Sequence, residues 1–284
     1  MATTPTVRRL LLSNELKRLR SGAGVGPERA AQHLGCRVSK ISRIELAQNS
    51  IQAGDVKLLS DLYGVDPERT EVLLDLARGQ NQRARWSGYR STFPDWFRMF
   101  VDLERDAAAI RSVEVEIIPG LLQTEDYIRA IHEEEPSGTD ELDDPVHARQ
   151  ERQSVLGRTD PPDVSFILSE SCLRRIVGSS EVMRDQLDHL VEVSRLPNVQ
   201  LQVLPFDAKT FAGRIIFRFT MLNIPAQGVA PLDFVYVESF DDARYLEDND
   251  AIATYSRLWG RLQAAALCPV ESRDFIAKVA ADLG

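Results

Sequence analysis

The side chains with the clearest chemical capacity lie in one short stretch of sequence, VSKISRIE, within the segment from Gly26 to Leu46. Ser39, Lys40 and Arg43 carry the hydroxyl, ammonium and guanidinium groups that hydrogen-bond to base edges and phosphate oxygens. Their spacing puts Ser39 and Arg43 on the side of a helix opposite the apolar residues, with Lys40 beside them. Such a helix is suited to entering a DNA major groove.

Two short helices joined by a tight turn are expected to position this polar face. Pro27 suits the first position of a helix, because its missing N–H would be unpaired there. Gly35 marks the turn, and Val38, Ile41 and Ile44 share one side of the second helix. The pattern predicts that all three apolar side chains of this second helix are buried.

Length and charge indicate two domains of different character. The chain has 284 residues, 43% of them hydrophobic and 27% charged, which is ordinary for about two globular domains. Residues 1–79 hold 12 Lys and Arg against 9 Asp and Glu, a net charge of +3, whereas the remainder carries −12 of the total of −9. Contact with DNA phosphates needs only a local basic surface. The charge distribution therefore predicts that the N-terminal domain contacts DNA and that the C-terminal domain is acidic.

The cysteines and the hydropathy pattern exclude several classes. Cys36, Cys172 and Cys268 are odd in number and form no CxxC pair, which argues against a disulfide framework or a zinc site. No apolar run approaches the ~18 residues that a membrane span needs, and no signal peptide is evident. We expect a cytoplasmic protein that does not contact membranes.

Five helices are predicted in the first domain, residues 1–79. Residues 1–10 are predicted to be a loose arm, and the five helices are expected at 13–20, 27–34, 38–46, 52–63 and from 67 onward. The segments ELKRLR, HLG, VSKISRIE and DVKLLSDLYGVDPE, within residues 13–78, resemble the Xre-type helix-turn-helix family of DNA-binding domains. The resemblance implies that the third helix is the recognition helix.

The resemblance also assigns roles to individual residues. It implies that four side chains contact or approach the bases of double-stranded DNA, namely those of Arg37, Val38, Ser39 and Arg43. It implies that Lys40 lies near a base or a phosphate. It further implies a structural ion pair between Arg20 of the first helix and Glu45 of the third. Because one reading helix in one half-site gives limited specificity, a homodimer is expected.

Two departures from the family pattern concern affinity. Gly26 and Pro27 stand where the family has a Ser or Thr cap followed by Gln, which grip a phosphate. The sequence Leu46-Ala47-Gln48 replaces a turn that contains Gly. We therefore expect modest affinity for DNA, with dimerisation or a partner supplying the remainder.

A linker at 80–93 and a larger α+β domain at 94–284 are predicted to follow. The hydrophobic periodicity predicts a long helix at 94–110 that carries an aromatic stripe, a strand at 112–118, a helix at 145–156, and a mixed or antiparallel sheet completed by strands at 164–168, 199–204, 215–222, 234–238 and 243–246. Residues 133–145 are acidic and read as a loop.

The second half also has recognisable segments: IPGLLQTEDYIRA, HARQERQ, LSESCLRRIVGSSEVMRDQL, NVQLQVLPF and DFVYVES. Together they resemble the C-terminal domain of actinobacterial Xre-type regulators, including the WhiJ-like developmental regulators. The resemblance implies a transcriptional regulator of development or antibiotic production. It also implies a small, neighbour-encoded partner protein of the BldB-like kind.

No catalytic motif, cofactor loop or metal-ligand spacing is present in the second half, so neither an enzyme nor a cofactor or metal is expected. Five polar residues near apolar segments are predicted to line a ligand or partner pocket: Arg149, Arg152, Gln153, Glu170 and Glu238. The alternative is that they form helix caps and structural ion pairs. Two rival functions stay open, namely an antitoxin-like partner-binding protein with secondary DNA binding and a small-molecule-binding or enzymatic C-terminal domain.

Overall fold

The structure is a computed structural model that describes residues 4–79, 93–133, 143–209 and 217–283. The chain divides into two compact units, which are Met1–Ser87 with Ile224–Leu232 and Gly88–Asn223 with Asp233–Gly284. The predicted linker at 80–93 lies, apart from its last residue, outside the described residues, and most of the predicted acidic loop at 133–145 does too.

Five α-helices form the described N-terminal part of the first unit, as predicted. They are α1 (Pro5–Gly22), α2 (Pro27–His33), α3 (Val38–Glu45), α4 (Ala53–Tyr63) and α5 (Pro67–Gly79). Gly35 in the turn between α2 and α3 has a φ of 61°, a conformation that glycine adopts without steric cost.

The prediction of a loose arm at 1–10 is wrong from residue 5 onward. Helix α1 begins at Pro5, and the hydroxyl of Thr4 accepts a hydrogen bond from the backbone N–H of Val7 at 3.3 Å. Leu10 and Leu11 are buried in the core of the unit. Burial of these apolar side chains stabilises the extra helical turns, a tertiary effect that local periodicity does not reveal.

The second unit combines seven α-helices in its described part with one six-stranded sheet. The helices are α6 (Asp95–Asp106), α7 (Glu125–Glu133), α8 (Asp143–Gln153), α9 (Glu170–Arg174), α10 (Ser180–Val193), α11 (Asn249–Ala265) and α12 (Pro269–Ala281). The strands are β1 (Ala109–Glu114), β2 (Asp163–Ser169), β3 (Val199–Leu204), β4 (Phe219–Ile224), β5 (Leu232–Glu238) and β6 (Ala243–Leu246). Short 3₁₀ turns lie at Gly120–Leu122 and Ser154–Gly157.

The sheet is mixed, with the strand order β3-β2-β1-β4-β5-β6. Strand β2 runs parallel to both β1 and β3, whereas β4 is antiparallel to β1, and β6 is antiparallel to β5. This arrangement confirms the predicted α+β class with a mixed sheet.

Several element boundaries in the second unit were predicted wrongly, above all those around the end of α6 and β1. The helix expected at 94–110 ends at Asp106, because the backbone of Ala107 is extended (φ −64°, ψ 143°). Strand β1 begins at Ala109 and ends at Glu114, so it overlaps the strand predicted at 112–118 but begins and ends several residues earlier. Pairing of β1 with both β2 and β4 decides these limits, and that pairing involves residues more than fifty positions away.

The two faces of the sheet carry different side chains, because successive residues of a strand point to opposite faces. Val113 of β1 packs in an apolar core with Trp259 and Leu262 of α11. Ser112 lies on the other face, where its register neighbours are Phe166 of β2 and Thr220 of β4. This second face forms the floor of the cavity described below.

Candidate nucleic-acid interface and a cavity in the second unit

Helix α3 presents an exposed polar surface above a buried apolar one. Ile41 and Ile44 are each 1% exposed, and burial of one such side chain contributes about 1.5–3 kcal/mol to stability. The opposite surface, which we call the α3 face, consists of the exposed residues Arg37, Val38, Ser39, Lys40 and Arg43. The prediction that Val38 is buried with the two isoleucines is wrong, because Val38 is 38% exposed.

Three side chains of the α3 face are available to a ligand. Within the described residues, the side chains of Arg37, Ser39 and Arg43 make no hydrogen bond or ion pair. Lys40 differs, because its Nζ donates a hydrogen bond to Asp55 Oδ2 of α4 at 2.7 Å, which raises the pKa of Lys40. Two guanidinium groups and one hydroxyl of this face therefore have unused hydrogen-bonding capacity.

A salt bridge between α1 and α3 helps to hold the α3 face in place. Arg20 donates from Nε to Glu45 Oε1 at 2.6 Å and from Nη2 to Glu45 Oε2 at 2.9 Å. Arg20 Nη1 also donates to the backbone carbonyl of Val25 at 2.9 Å. The pair is largely buried, and its two parallel hydrogen bonds give it a defined geometry. This is the arrangement that the family resemblance implies for these two residues.

The structure shows the consequences of both departures from the family pattern, at the start of α2 and in the turn after α3. Gly26 is the N-cap of α2, and no side chain accepts a hydrogen bond from the first turn of that helix. Ala47, in the turn after α3, has a φ of 54°, which is the left-handed region where glycine is favoured. An alanine there costs about 1 kcal/mol relative to a relaxed backbone.

The second unit contains a cavity of about 460 Å³, which we call the sheet cavity. Its wall is formed by α6, α8, the 3₁₀ turn at Gly120–Leu122 and strands β1, β4 and β5. Of the five predicted pocket residues, three line it: Arg149, Arg152 and Glu238.

The other two predicted pocket residues do not line the sheet cavity, which corrects the predicted set. Gln153 donates from Nε2 to the carbonyls of Gly120 and Gln123 at 2.9 and 2.7 Å. Glu170 accepts a hydrogen bond from Arg174 at 2.5 Å and another from the backbone N–H of Phe206 at 2.8 Å. Glu170 thus matches the alternative reading of a structural ion pair.

A buried ion pair joins α6 and α8 beside the cavity. Arg152 donates from Nε and Nη2 to the two carboxylate oxygens of Glu104 at 2.8 and 2.9 Å, and both side chains are 5% exposed. The guanidinium carbon of Arg152 also lies 4.9 Å from the centroid of the Phe97 ring. A planar guanidinium held between a carboxylate and an aromatic ring is fixed in position.

A second charged cluster lies at the strand ends of the cavity. Arg218 forms an ion pair with Glu238, which also accepts a hydrogen bond from the Tyr236 hydroxyl at 2.6 Å. The Oε2 atom of Glu114 lies 3.9 Å from Arg218, and its Oε1 accepts a hydrogen bond from Ser112 at 2.7 Å. Burial raises the pKa of Glu114, although Arg218 and Ser112 act in the opposite direction.

The guanidinium group of Arg149 has no carboxylate partner among the described residues. Its Nη1 donates to the side-chain oxygen of Gln123 at 2.6 Å, and its buried Nε has no hydrogen-bond partner. The group packs against Gly120, where a Cβ atom would lie 2.6 Å from Nη1. Burial lowers the pKa of Arg149 to about 9, so that it is still a cation at neutral pH.

Sequence reasoning missed the polar cavity residues Glu104, Glu114 and Arg218. Glu104 follows Leu103 at the end of an aromatic stripe, and Glu114 alternates with valines in a strand. Alternation alone would assign Glu114 to a solvent-facing surface, because a charged residue in a strand usually faces water. Only the cover provided by α6 and α8 makes that surface an interior one.

The raised pKa of Glu114 predicts a pH-dependent stability. The folded state binds this proton more tightly than the unfolded state, whose pKa is near the ordinary 4.5. The contribution is therefore fully present below pH 4.5 and is lost as pH rises through the folded-state pKa. We expect the Glu114→Gln variant to lose less stability than the wild type between pH 5 and the folded-state pKa, in urea unfolding of the full chain.

The exposed Glu151 of α8 supplies a matched control for that experiment. The Glu151→Gln variant should keep the pH profile of the wild type. A wild-type profile reproduced by Glu114→Gln would show that Glu114 does not cause the dependence.

Within the described ranges, no group of His, Cys, Asp and Glu is arranged to hold a metal ion. In the same residues, no helix has the length and apolar character needed to cross a membrane.

The five helices and the α3 face define the first unit as a helix-turn-helix domain, the class of domain that binds DNA. The comparison with family models agrees, since residues 11–73 match the model described as "Helix-turn-helix domain". Residues 97–278, which are more than half of the chain, match the model described as "Domain of unknown function (DUF5753)". The chain belongs to the DUF5753 family. No curated protein and no solved structure matches the chain.

Proposed function

We propose that this protein is a sequence-specific DNA-binding transcriptional regulator in which α3 reads the major groove. The observation that carries the proposal is the α3 face, on which the side chains of Arg37, Ser39 and Arg43 are exposed and make no hydrogen bond or ion pair within the described residues. Arginine forms bidentate hydrogen bonds with guanine O6 and N7, and serine can hydrogen-bond to a base or to a phosphate. The buried isoleucines and the Arg20–Glu45 pair hold this face in a fixed orientation.

The finer parts of the proposal rest on sequence resemblance and on charge. We place the protein with the WhiJ-like actinobacterial regulators of Xre type, acting in development or antibiotic production, in the cytoplasm. We propose that it binds as a homodimer, because the modest net charge of +3 in residues 1–79 and the uncapped α2 indicate weak binding by one copy. Its C-terminal domain would respond to a small protein partner or to a ligand.

Selection from a pool of random DNA duplexes tests the proposal. The full chain is incubated with the pool at fixed salt, and bound duplexes are amplified and sequenced over several rounds. We expect one enriched motif, and for a dimer two half-sites about 10 base pairs apart, centre to centre. Enrichment of no motif by a folded protein, alone and with its small partner, would overturn the proposal.

The acidic second half favours one competing function, an antitoxin-like protein whose main task is to hold a basic partner. Residues 80–284 carry a net charge of −12, which would attract a protein of opposite charge. The same selection separates the two functions. A motif enriched by the chain alone supports the regulator, whereas a motif enriched only with the neighbour-encoded protein supports the antitoxin-like function.

A further inference from the structure

The sheet cavity has an aromatic side. Phe97 and Phe100 of α6 are stacked with ring centroids 5.2 Å apart, and the Phe100 ring lies 4.4 Å from that of Tyr236 on β5. Trp96 also lines the cavity and meets Phe97 edge to face at 5.8 Å. Aromatic walls of this kind favour a flat apolar ligand, which can stack or pack edge to face against the rings.

The polar side of the cavity contains one arginine that has no carboxylate partner among the described residues. Three arginines and three glutamates line it: Arg149, Arg152, Arg218, Glu104, Glu114 and Glu238. Two pairs, Arg152 with Glu104 and Arg218 with Glu238, neutralise each other by direct contact. Arg149 and Glu114 are left, and they form no ion pair with each other.

Glu114 does not act as the counter-ion of Arg149. Its nearest cation is Arg218, 3.9 Å away, and burial favours its uncharged form by raising its pKa. Arg149 therefore has no carboxylate in contact: its one partner in the described residues is the neutral amide of Gln123, and its buried Nε donates no hydrogen bond. Buried polar groups in native proteins are nearly always paired, and an unpaired cation is costly, so this guanidinium is suited to binding an anion.

We propose that the sheet cavity binds a small aromatic monocarboxylate, whose carboxylate pairs with Arg149 and whose ring packs on the aromatic side formed by α6 and Tyr236. The volume of about 460 Å³ lies within the usual range for small-molecule sites. This inference deepens the proposed function, since it names the class of ligand to which the C-terminal domain responds, and it rests on that function only for the effect on DNA.

The charges of the cavity select a single negative charge. A cation would face the unpaired Arg149, and a dianion such as a phosphate monoester would meet the carboxylates of Glu104 and Glu238 in addition to Arg149. One carboxylate supplies one charge and two acceptor oxygens, which fits a guanidinium in a bidentate way.

Calorimetric titration of the full chain with matched probes tests the ligand class. The probes are benzoate, 2-naphthoate and biphenyl-4-carboxylate, each with its neutral amide, together with phenyl phosphate. We expect at least one carboxylate to bind saturably with a Kd below about 1 mM, and at least about tenfold more tightly than its amide and than phenyl phosphate. Absence of binding by all three carboxylates, or equal binding of acid and amide, would overturn the proposal.

The Arg149→Met variant tests the residue that receives the charge. It should reduce the affinity for the best carboxylate to that of the amide, while binding of the amide itself stays unchanged. The control is Arg195→Met, which removes an exposed arginine that does not line the cavity and should leave both affinities as in the wild type. An unchanged carboxylate affinity in a folded Arg149→Met variant would refute the role of Arg149.

Two features of the experiment separate ligand binding from DNA binding and from the folding of the variants. Binding is measured without DNA, so a failed DNA selection does not affect it, and a failed titration does not affect the selection. Circular dichroism establishes folding of each variant first, and if Arg149→Met does not fold, the comparison of acid with amide on the wild type decides the proposal.

Discussion

Replacement of Arg152 by methionine is expected to lower the free energy of unfolding of the second unit by about 3–5 kcal/mol. Methionine fills much of the same apolar space, but it leaves the carboxylate of Glu104 buried and without its two hydrogen bonds from Arg152. Loss of the guanidinium above the Phe97 ring adds to the effect. Urea unfolding of the full chain, followed by circular dichroism, measures the change.

Two further variants show whether the unpaired charge is the cause. The double variant Glu104→Leu with Arg152→Met removes both charges and should recover much of the lost stability, because apolar pairs often replace buried ion pairs without penalty. Arg195→Met breaks an exposed pair with Glu192 and should cost about 0–1 kcal/mol. A cost for Arg152→Met as small as that of Arg195→Met would mean that the pair contributes little.

Replacement of Arg43 by alanine is expected to weaken binding to the operator, that is, to a duplex with the motif enriched in the DNA selection. The expected loss is about 1–3 kcal/mol, which is roughly 5- to 150-fold in Kd. The physical reason is that a bidentate contact to one base pair is lost. The fold is unaffected, because the Arg43 side chain is exposed and makes no hydrogen bond or ion pair within the described residues. Fluorescence anisotropy with operator and random duplexes at the same salt concentration measures both affinities.

The comparison between duplexes identifies the kind of contact. Loss confined to the operator indicates a base contact, whereas an equal loss on operator and random DNA would contradict it and indicate a phosphate contact. Arg78→Ala, which removes an exposed arginine of α5 outside the α3 face, is the matched control and should change neither affinity by more than a small factor.

Local patterns were sufficient where an element is regular and its neighbours are close in sequence. Strands β3 and β6 begin and end at the predicted residues, and α3 differs from its prediction by one residue. The turn glycine between α2 and α3 was also correctly located, because a left-handed backbone favours glycine wherever it occurs. These features depend on a few consecutive residues, so they can be recognised without the rest of the chain.

The boundaries of helices and strands were harder to predict where pairing with distant strands decides them. The end of α6 and the start of β1 were misplaced, since the backbone of β1 pairs with residues near 163 and 223. The turns added to the start of α1 escaped prediction for a similar reason, because burial against other helices stabilises them.

By itself, the sequence determined the class of each half and the exposed polar surface of α3. A periodicity of 3.6 residues places Ser39 and Arg43 opposite Ile41 and Ile44 in any packing that buries the isoleucines. Only the tertiary structure decided the sheet cavity, where Arg149, Glu104 and Glu114 meet from separate elements. The physical reason is that a charged residue has no local signature of burial: whether it faces water or a ligand depends on elements that fold over it from far along the chain.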